Sequence, residues 1–527
     1  MGHIRTVSAP TDHVIIVGAG LAGLSAGLHL LGAGREVTIL EADATVGGRV
    51  GRYRGPDYTV DNGATVLTMP ELIDDALAAV GARSDITTPK LVVHKLDPAY
   101  HARFADGTTL DVSSDPDRMA AAVSRLCGPD EARRYRSLRR WLAQIFDAEF
   151  DRFMDANFDS PLDLVNSSAA LKDLSKLLAL RGFGSLGHQV DRFIRDPRLR
   201  RIFTFQALYA GVAPARALAV YGAIAHMDTS LGVYFPEGGM HTIAASMADA
   251  FTTSGGQLRL DTPVERLEAS GRRVHAVHTT SGERLSCDAI VLTPDVLVTD
   301  QLLRPHTRRR PRRVRTSPSA VVIHGTILSS IADRWPASRH HTIDFGDAWE
   351  RTFAEITAGP GRGTLMSDPS LLITRPAVTD AGLTFRRDGR TREPLSILAP
   401  CPNLVGAPLD WSKLETPYVR EILGTLQQRG YDGLADGLDI DHVDTPQTWL
   451  DKGMTAGSPF AAAHTFSQTG PFRRKNLEPG FDNVVLAGSG TVPGVGVPTV
   501  LLSGRLAAER ITGTRNRGEA VLGLPSN

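Results

Sequence analysis

VIIVGAGLAGLSAGLHLLGAG, residues 14–34, has no formal charge, one His and one Ser. It is long enough to cross a bilayer core of about 30 Å, and Arg5 upstream gives it the outline of a secretion signal. Its six glycines argue for something else. Each Gly costs about 1 kcal/mol against Ala inside a helix, so a membrane anchor rich in them would be poorly made. Residues 14–17 form a β-branched run, residues 21–31 have helical spacing after a Gly-rich bend, and residues 36–40 are again β-rich. Strand, turn, helix and strand within about 30 residues make the βαβ unit of a parallel, doubly wound sheet.

Gly18, Gly20 and Gly23 form G-x-G-x-x-G between the first strand and the helix. The first allows a tight turn, the second lets a pyrophosphate approach the backbone, and the third lets helix and sheet pack closely. The helix N-terminus adds unpaired N–H groups and a partial positive charge. Glu41 ends the second strand, 23 residues after Gly18, where a carboxylate accepts hydrogen bonds from ribose hydroxyls and repels a 2′-phosphate. The pattern predicts a dinucleotide site.

The rest of the chain bounds the reading. Its 527 residues allow several structural units. Lys plus Arg and Asp plus Glu balance at 58 each, so no global field selects nucleic acid or anionic partners. Cys127, Cys287 and Cys401 are far apart, which excludes a disulfide framework or zinc knuckle and fits a reducing cytoplasm; no metal site is expected. Residues 115–154 turn helical, with Tyr135, Leu138, Leu142 and Ile145 on one stripe, and helical spacing continues through 171–180 and 201–221. Residues 257–295 read as a strand meander, and strands alternate with Pro-rich loops to about 470. The seven arginines of residues 304–315 have no interleaved aromatics, leaving a solvated segment or a contact with anionic lipid.

Further motifs carry a resemblance. Gly47, Gly48 and Arg49 continue the first unit; DNGATVLTMP (61–70) and GVYFPEGGM (232–240) follow; and NVVLAGSGTVPGVGVPTVLLSGRLAAERI (483–511) reads as strand, Gly/Pro loop and a helix with Pro498 in its first turn. Together they resemble the glutathione-reductase-like flavoproteins that include amine oxidases and carotenoid desaturases, and most closely the bacterial-type phytoene desaturases. The resemblance implies FAD as cofactor, held by Gly18, Gly20, Gly23, Glu41, Gly48, Arg49, Thr65, Val264, Gly488, Gly494, Gly496 and Val497. Two positions depart from the family signature: Ser489 stands where it has a small Ala, Gly or Cys, and Val492 where it usually has His, Gln or Thr.

The implied fold is α/β: a Rossmann-like FAD-binding domain of glutathione-reductase type, a mixed-sheet substrate domain, and a helical subdomain that is a candidate for membrane contact. FAD-binding segments are expected at 12–90, 232–300 and 471–515, substrate-domain segments at 91–115 and 301–470, and the helical subdomain at 116–231. The implied activity is desaturation of a C40 polyene, phytoene towards lycopene, by hydride transfer to flavin and proton loss. Phe203, Phe205, Tyr209, Tyr234 and Phe235 are candidates for the substrate tunnel or for ordinary core. Asp163 is a candidate acid–base group or a helix cap. Leu171, Leu174, Leu177 and Leu178, flanked by Lys172, Lys176 and Arg181, suit either an interfacial helix at the inner face of the cell membrane or a plain amphipathic one. A carotenoid isomerase, a ketolase-like oxidase or a hydroxysqualene reductase would share every FAD motif, a prenyl-binding escort would share the fold, and a homo-oligomer stays open.

Overall fold

The computed structural model describes residues 5–8, 10–165, 167–307, 314–336 and 338–514. Of the arginine run, residues 308–313 lie outside the described residues.

The opening stretch forms the strand His13–Val17 and the helix Leu21–Gly32, followed by the strand Glu36–Leu40. Both strands are buried on both faces, as strands covered by helices must be. They lie in a five-stranded parallel sheet whose order is Val484–Leu486, Ala289–Leu292, His13–Val17, Glu36–Leu40 and Gln257–Arg259. Strands from the beginning, middle and end of the chain thus share one sheet. The expected meander at 257–295 is split. Gln257–Arg259 and Ala289–Leu292 join the parallel sheet, and only Val264–Ser270, Arg273–Thr279 and Arg284–Ser286 form an antiparallel meander. The buried run at 289–292 takes the helix-covered position its continuous apolarity suits.

A second sheet is mixed. Its main path runs Asp439–Asp444, Ser319–Leu328, Arg390–Cys401, Leu371–Thr374, His341–Asp344, Tyr100–Arg103 and Thr109–Val112, antiparallel except where His341–Asp344 meets Tyr100–Arg103. Helices including Pro116–Cys127, Pro129–Glu149 and Ser168–Ala179 form a separate layer. Pro129–Glu149 buries Tyr135, Leu138, Leu142 and Ile145, the stripe read from the sequence. Its last residue leads into a π-turn, Phe150–Met154.

The helix Leu21–Gly32 packs closely against the C-terminal helix Val497–Thr512. A Cβ at Gly504 would lie 2.4 Å from the Ala22 carbonyl oxygen and 2.8 Å from Ala26 N, and the Ser25 hydroxyl donates to the Leu501 carbonyl at 2.8 Å. The fully buried Arg505, on the same helix, pairs with Asp75 at 3.0 Å and with Asp155 just beyond the π-turn. Replacing Gly504 with Val is expected to destabilise the protein by about 1–3 kcal/mol through overpacking, read as a lower midpoint in denaturant, whereas Gly81→Ala, where nothing lies within 4 Å, costs only the strain of its positive φ.

Candidate functional site

The carboxyl ends of four parallel strands meet at one cavity of about 1210 Å³. That is the edge where doubly wound sheets bind ligands, and the volume exceeds the ~300–1,000 Å³ of ordinary small-molecule pockets. Gly18, Gly20, Leu21 and Ala22 line it from the first strand and helix, Glu41 from the second strand, and Thr293 and Gly488 from the two strands beyond.

The glycines of the fingerprint divide by cause. A Cβ on Gly18, at φ +103°, would meet the Thr293 hydroxyl at 2.4 Å, and one on Gly23 would lie 2.0 Å from the Gly18 carbonyl oxygen. Packing alone demands both. A Cβ on Gly20 would find no protein atom nearer than 3.9 Å, so only what the cavity receives explains this glycine. The helix behind it has no side-chain cap, leaving first-turn N–H groups for a ligand anion. Gly23 does not line the cavity; it sets the distance between helix and strand.

Glu41 Oε2 accepts from Ala19 N–H at 2.6 Å and Oε1 from Asp43 N–H at 3.0 Å. Burial raises its pKa, partly offset by these two bonds. Each oxygen keeps acceptor capacity for a hydroxyl. Arg49 lines the opposite wall and donates to the Ser489 hydroxyl and the Asp295 carboxylate. Asp295 also accepts Thr455 N–H at 3.0 Å, so the guanidinium is anchored from two segments. Gly48, Thr65, Val264, Gly488, Gly496 and Val497 line the cavity as well. Gly494 does not. A Cβ there would lie 2.4 Å from His464 Cε1, so this glycine makes room for a buried imidazole rather than for a ligand.

Beyond this polar half the walls turn apolar, with Phe153, Leu164, Phe183, Val220, Phe460 and Phe472 among them. Of the five aromatics considered for the tunnel, only Tyr209 lines it. Phe203 stacks on Tyr135, Phe205 sits edge-on to Tyr100, Phe235 packs on His340, and Tyr234 lies beneath Lys95. They are core or flank residues, since aromatic spacing cannot tell a ring packed on a ring from one facing a cavity. Asp163 also stays outside the lining; its carboxylate accepts Asp159 N–H at 2.6 Å and Ser160 N–H at 2.9 Å and shapes its own turn.

Several site residues escaped the sequence reading. Asp295 follows the fourth strand on the same edge, and a carboxylate after an apolar run was the signal that marked it. Glu149 and Asp228 are buried carboxyls in the lining, without local motif. Tyr221, His464 and Thr469 also line the cavity, the Tyr221 hydroxyl lying 2.6 Å from His464 Nδ1 and 2.7 Å from the Thr469 hydroxyl. Arg473 is buried and donates to the carbonyls of Thr491, Ala462, Gln468 and Ser489, fixing the loop before the last helix.

Comparison with known proteins identifies the family and the fold. The model of the flavin-containing amine oxidoreductases matches residues 21–353 and 415–512. A phytoene dehydrogenase of Streptomyces griseus is 52% identical, covering 97% of each chain. A lycopene-forming phytoene desaturase of Pseudescherichia vulneris is 30% identical over 94% of this chain and 98% of its own. Among solved structures, an oxidoreductase from Methanosarcina mazei superposes with TM-score 0.60 at 13% identity, covering 93% and 98% of the chains. Cyclohexylamine oxidase from Brevibacterium oxydans gives TM-score 0.55 at 16% identity, covering 95% and 99%. The structural likenesses concern the fold.

Gly20→Val would thrust a branched side chain into the polar half without meeting protein. It is expected to leave the unfolding midpoint nearly unchanged and to weaken dinucleotide binding by on the order of 100-fold, or about 2.7 kcal/mol, measured by equilibrium titration. Equal losses of both would place the glycine's role in packing.

Proposed function

The chain belongs to the flavin-containing amine oxidoreductase family, and from that premise we propose that it is an FAD-dependent phytoene desaturase acting at a membrane surface. The observation that carries the reading is the continuity of one cavity from the glycine-lined, Glu41-bearing cradle into an apolar gallery that reaches the surface. Leu178 and Phe466 both line it and are 60% and 56% exposed. A gallery walled by Phe153, Leu164, Phe183, Val220, Phe460 and Phe472 suits a long hydrocarbon, with Glu149 and Asp228 as the carboxyls set among them.

FAD, when bound, supplies the two-electron chemistry by accepting a hydride. The chain's own residues do the rest. N–H groups at the start of Leu21–Gly32 would receive the pyrophosphate and Glu41 would accept from a ribose hydroxyl, while Arg49 is held in place by Ser489 and Asp295. The helix Val497–Thr512, starting at Gly496 with Pro498 in its first turn, directs its positive end at the cavity, where it would favour negative charge on a bound flavin. The apolar gallery aligns one C–C bond of the polyene with the reactive ring and keeps water out.

A C40 hydrocarbon does not dissolve in water, so it enters from a bilayer. Among the described residues no helix is long and apolar enough to cross a membrane. Leu162, Val165, Leu171, Leu178 and Phe466 are exposed apolar side chains on the segments beside the gallery mouth, which supports a contact lying on the membrane surface. The leucine stripe divides here. Leu171 and Leu178, seven residues apart, share the outer face, Leu174 is half-buried, and Leu177 is fully buried, so the helix Ser168–Ala179 docks through Ala170 and Leu177 while offering the other side.

Two experiments test the proposal. Expressed in a colourless host that accumulates phytoene, the protein is expected to bind FAD and yield coloured polyenes, whose extraction counts the double bonds introduced; no FAD and no pigment would sink it. Leu178→Glu with Phe466→Glu is expected to abolish sedimentation with phospholipid vesicles while FAD content stays that of the unaltered protein.

A further inference from the structure

Glu149 closes the helix Pro129–Glu149 where the chain shifts into the π-turn Phe150–Met154. Such turns are rare and gather at functional sites, since the extra residue re-aims the side chains around it. Glu149 lines the cavity, is 9% exposed, and its Oε2 has no hydrogen-bond partner among the described residues. It makes no salt bridge among the described residues, and Arg505 is committed to Asp75 and Asp155. A buried carboxyl without a cation costs several kcal/mol when ionised, and an apolar side chain of that volume would hold the helix better. Stability does not explain it.

We propose that Glu149 is the proton acceptor of the desaturation, a catalytic residue facing the polyene; this rests on reading the cavity as a desaturase site. Loss of hydride from one allylic carbon to oxidised FAD removes two electrons and leaves a cation spread over the polyene. The C–H bond of the adjacent carbon then breaks, its electron pair becomes the new C=C π bond, and its proton forms an O–H bond on the Glu149 carboxylate. That proton passes to solvent before the next turnover. A carboxylate in an apolar wall also attracts the developing cation more strongly than it would in water.

The charges around it are consistent with this. Burial raises the Glu149 pKa from 4.5 to about 8, close to the working range of a general base. Burial also keeps its neighbours on packed elements neutral: His226 is lowered to about 4, His464 well below its ordinary value, and the Tyr221 hydroxyl is raised. Asp147, on the same helix, is raised by burial against Lys176 on Ser168–Ala179. Asp228, in the π-turn Met227–Leu231, is raised by burial to about 7 and also lines the cavity. Asp151 lies exposed on the π-turn itself, and the Arg473 guanidinium is turned to carbonyls.

The test is anaerobic reduction of the FAD-loaded enzyme by phytoene in phospholipid vesicles, followed by bleaching of flavin absorbance. The rate is expected to rise with pH and level off above about 8. Glu149→Gln should reduce it by about 100- to 10,000-fold and remove that inflection, Glu149→Asp should restore the inflection at a lower rate, and Asp228→Asn should keep it. A readout free of turnover accompanies these. The folded pKa lies above the unfolded one, so Glu149 favours folding below about 4.5 and that contribution is lost as pH rises to about 8. Glu149→Gln should therefore melt progressively above the parent across that interval and by a constant margin beyond it. Bleaching at the parent rate in Glu149→Gln, or a parent rate flat across pH 8, overturns the inference alone. Should Glu149→Gln not fold, the parent profile decides. Phytoene that bleaches neither protein overturns the desaturase reading and the inference together.

Discussion

The site depends on how closely the helix Leu21–Gly32 approaches its neighbours. Gly23 lets it settle on the turn at Gly18, where a Cβ would stand 2.0 Å from a carbonyl oxygen, and Gly504 lets the last helix of the fold settle on it in turn. Two helices from opposite ends of the sequence are thereby locked side by side, and the starts of both, at Gly20 and Gly496, line the same cavity. Each helix N-terminus offers a partial positive charge to what the cavity receives. Any side chain larger than hydrogen at Gly23 or Gly504 would move one charge relative to the other.

A second constraint joins this pair to the apolar gallery. Arg505 reaches from the last helix to Asp75 and Asp155, and Asp155 directly follows the π-turn that Glu149 precedes. A buried ion pair contributes little net stability, yet breaking one is costly, so it serves to fix the register of the helices it joins. The position of the unpartnered carboxyl is thus set by the segment that presents its positive helix end to the cofactor side of the cavity.

What the sequence revealed and what it hid follow the same division. The parallel sheet, the fingerprint, Glu41, Arg49 and the helix after Gly496 were legible because each needs a special residue at a fixed offset: glycine for close approach, an acid at a strand end, proline at a first turn. The gallery was not. Its walls use the residue types that also fill cores, so Tyr209 faces the cavity while Phe203 and Phe205 do not. Whether Gln257–Arg259 pairs with Glu36–Leu40 or with the meander after it depends on contacts across more than 200 residues, which no local pattern encodes. Leu177 and Leu178 differ as buried from exposed because the helix rotates by about 100° between them.

The two departures from the family signature acquire different meanings. Ser489 places a hydroxyl where a smaller side chain would have none, and Arg49 uses it as an acceptor alongside Asp295, so an arginine at the mouth of the polar half is held from two sides. Its backbone carbonyl meanwhile accepts from Arg473 at 2.6 Å, which ties the same residue to the buried side of the loop. Val492, in contrast, is buried and does not line the cavity; its carbonyl accepts from the Ser503 hydroxyl at 2.8 Å, and that hydroxyl in turn accepts from Gly488 N–H. A polar side chain at 492 would therefore find protein rather than substrate. Glu149, the proposed proton acceptor, does line the cavity, and its Oε2 has no hydrogen-bond partner among the described residues.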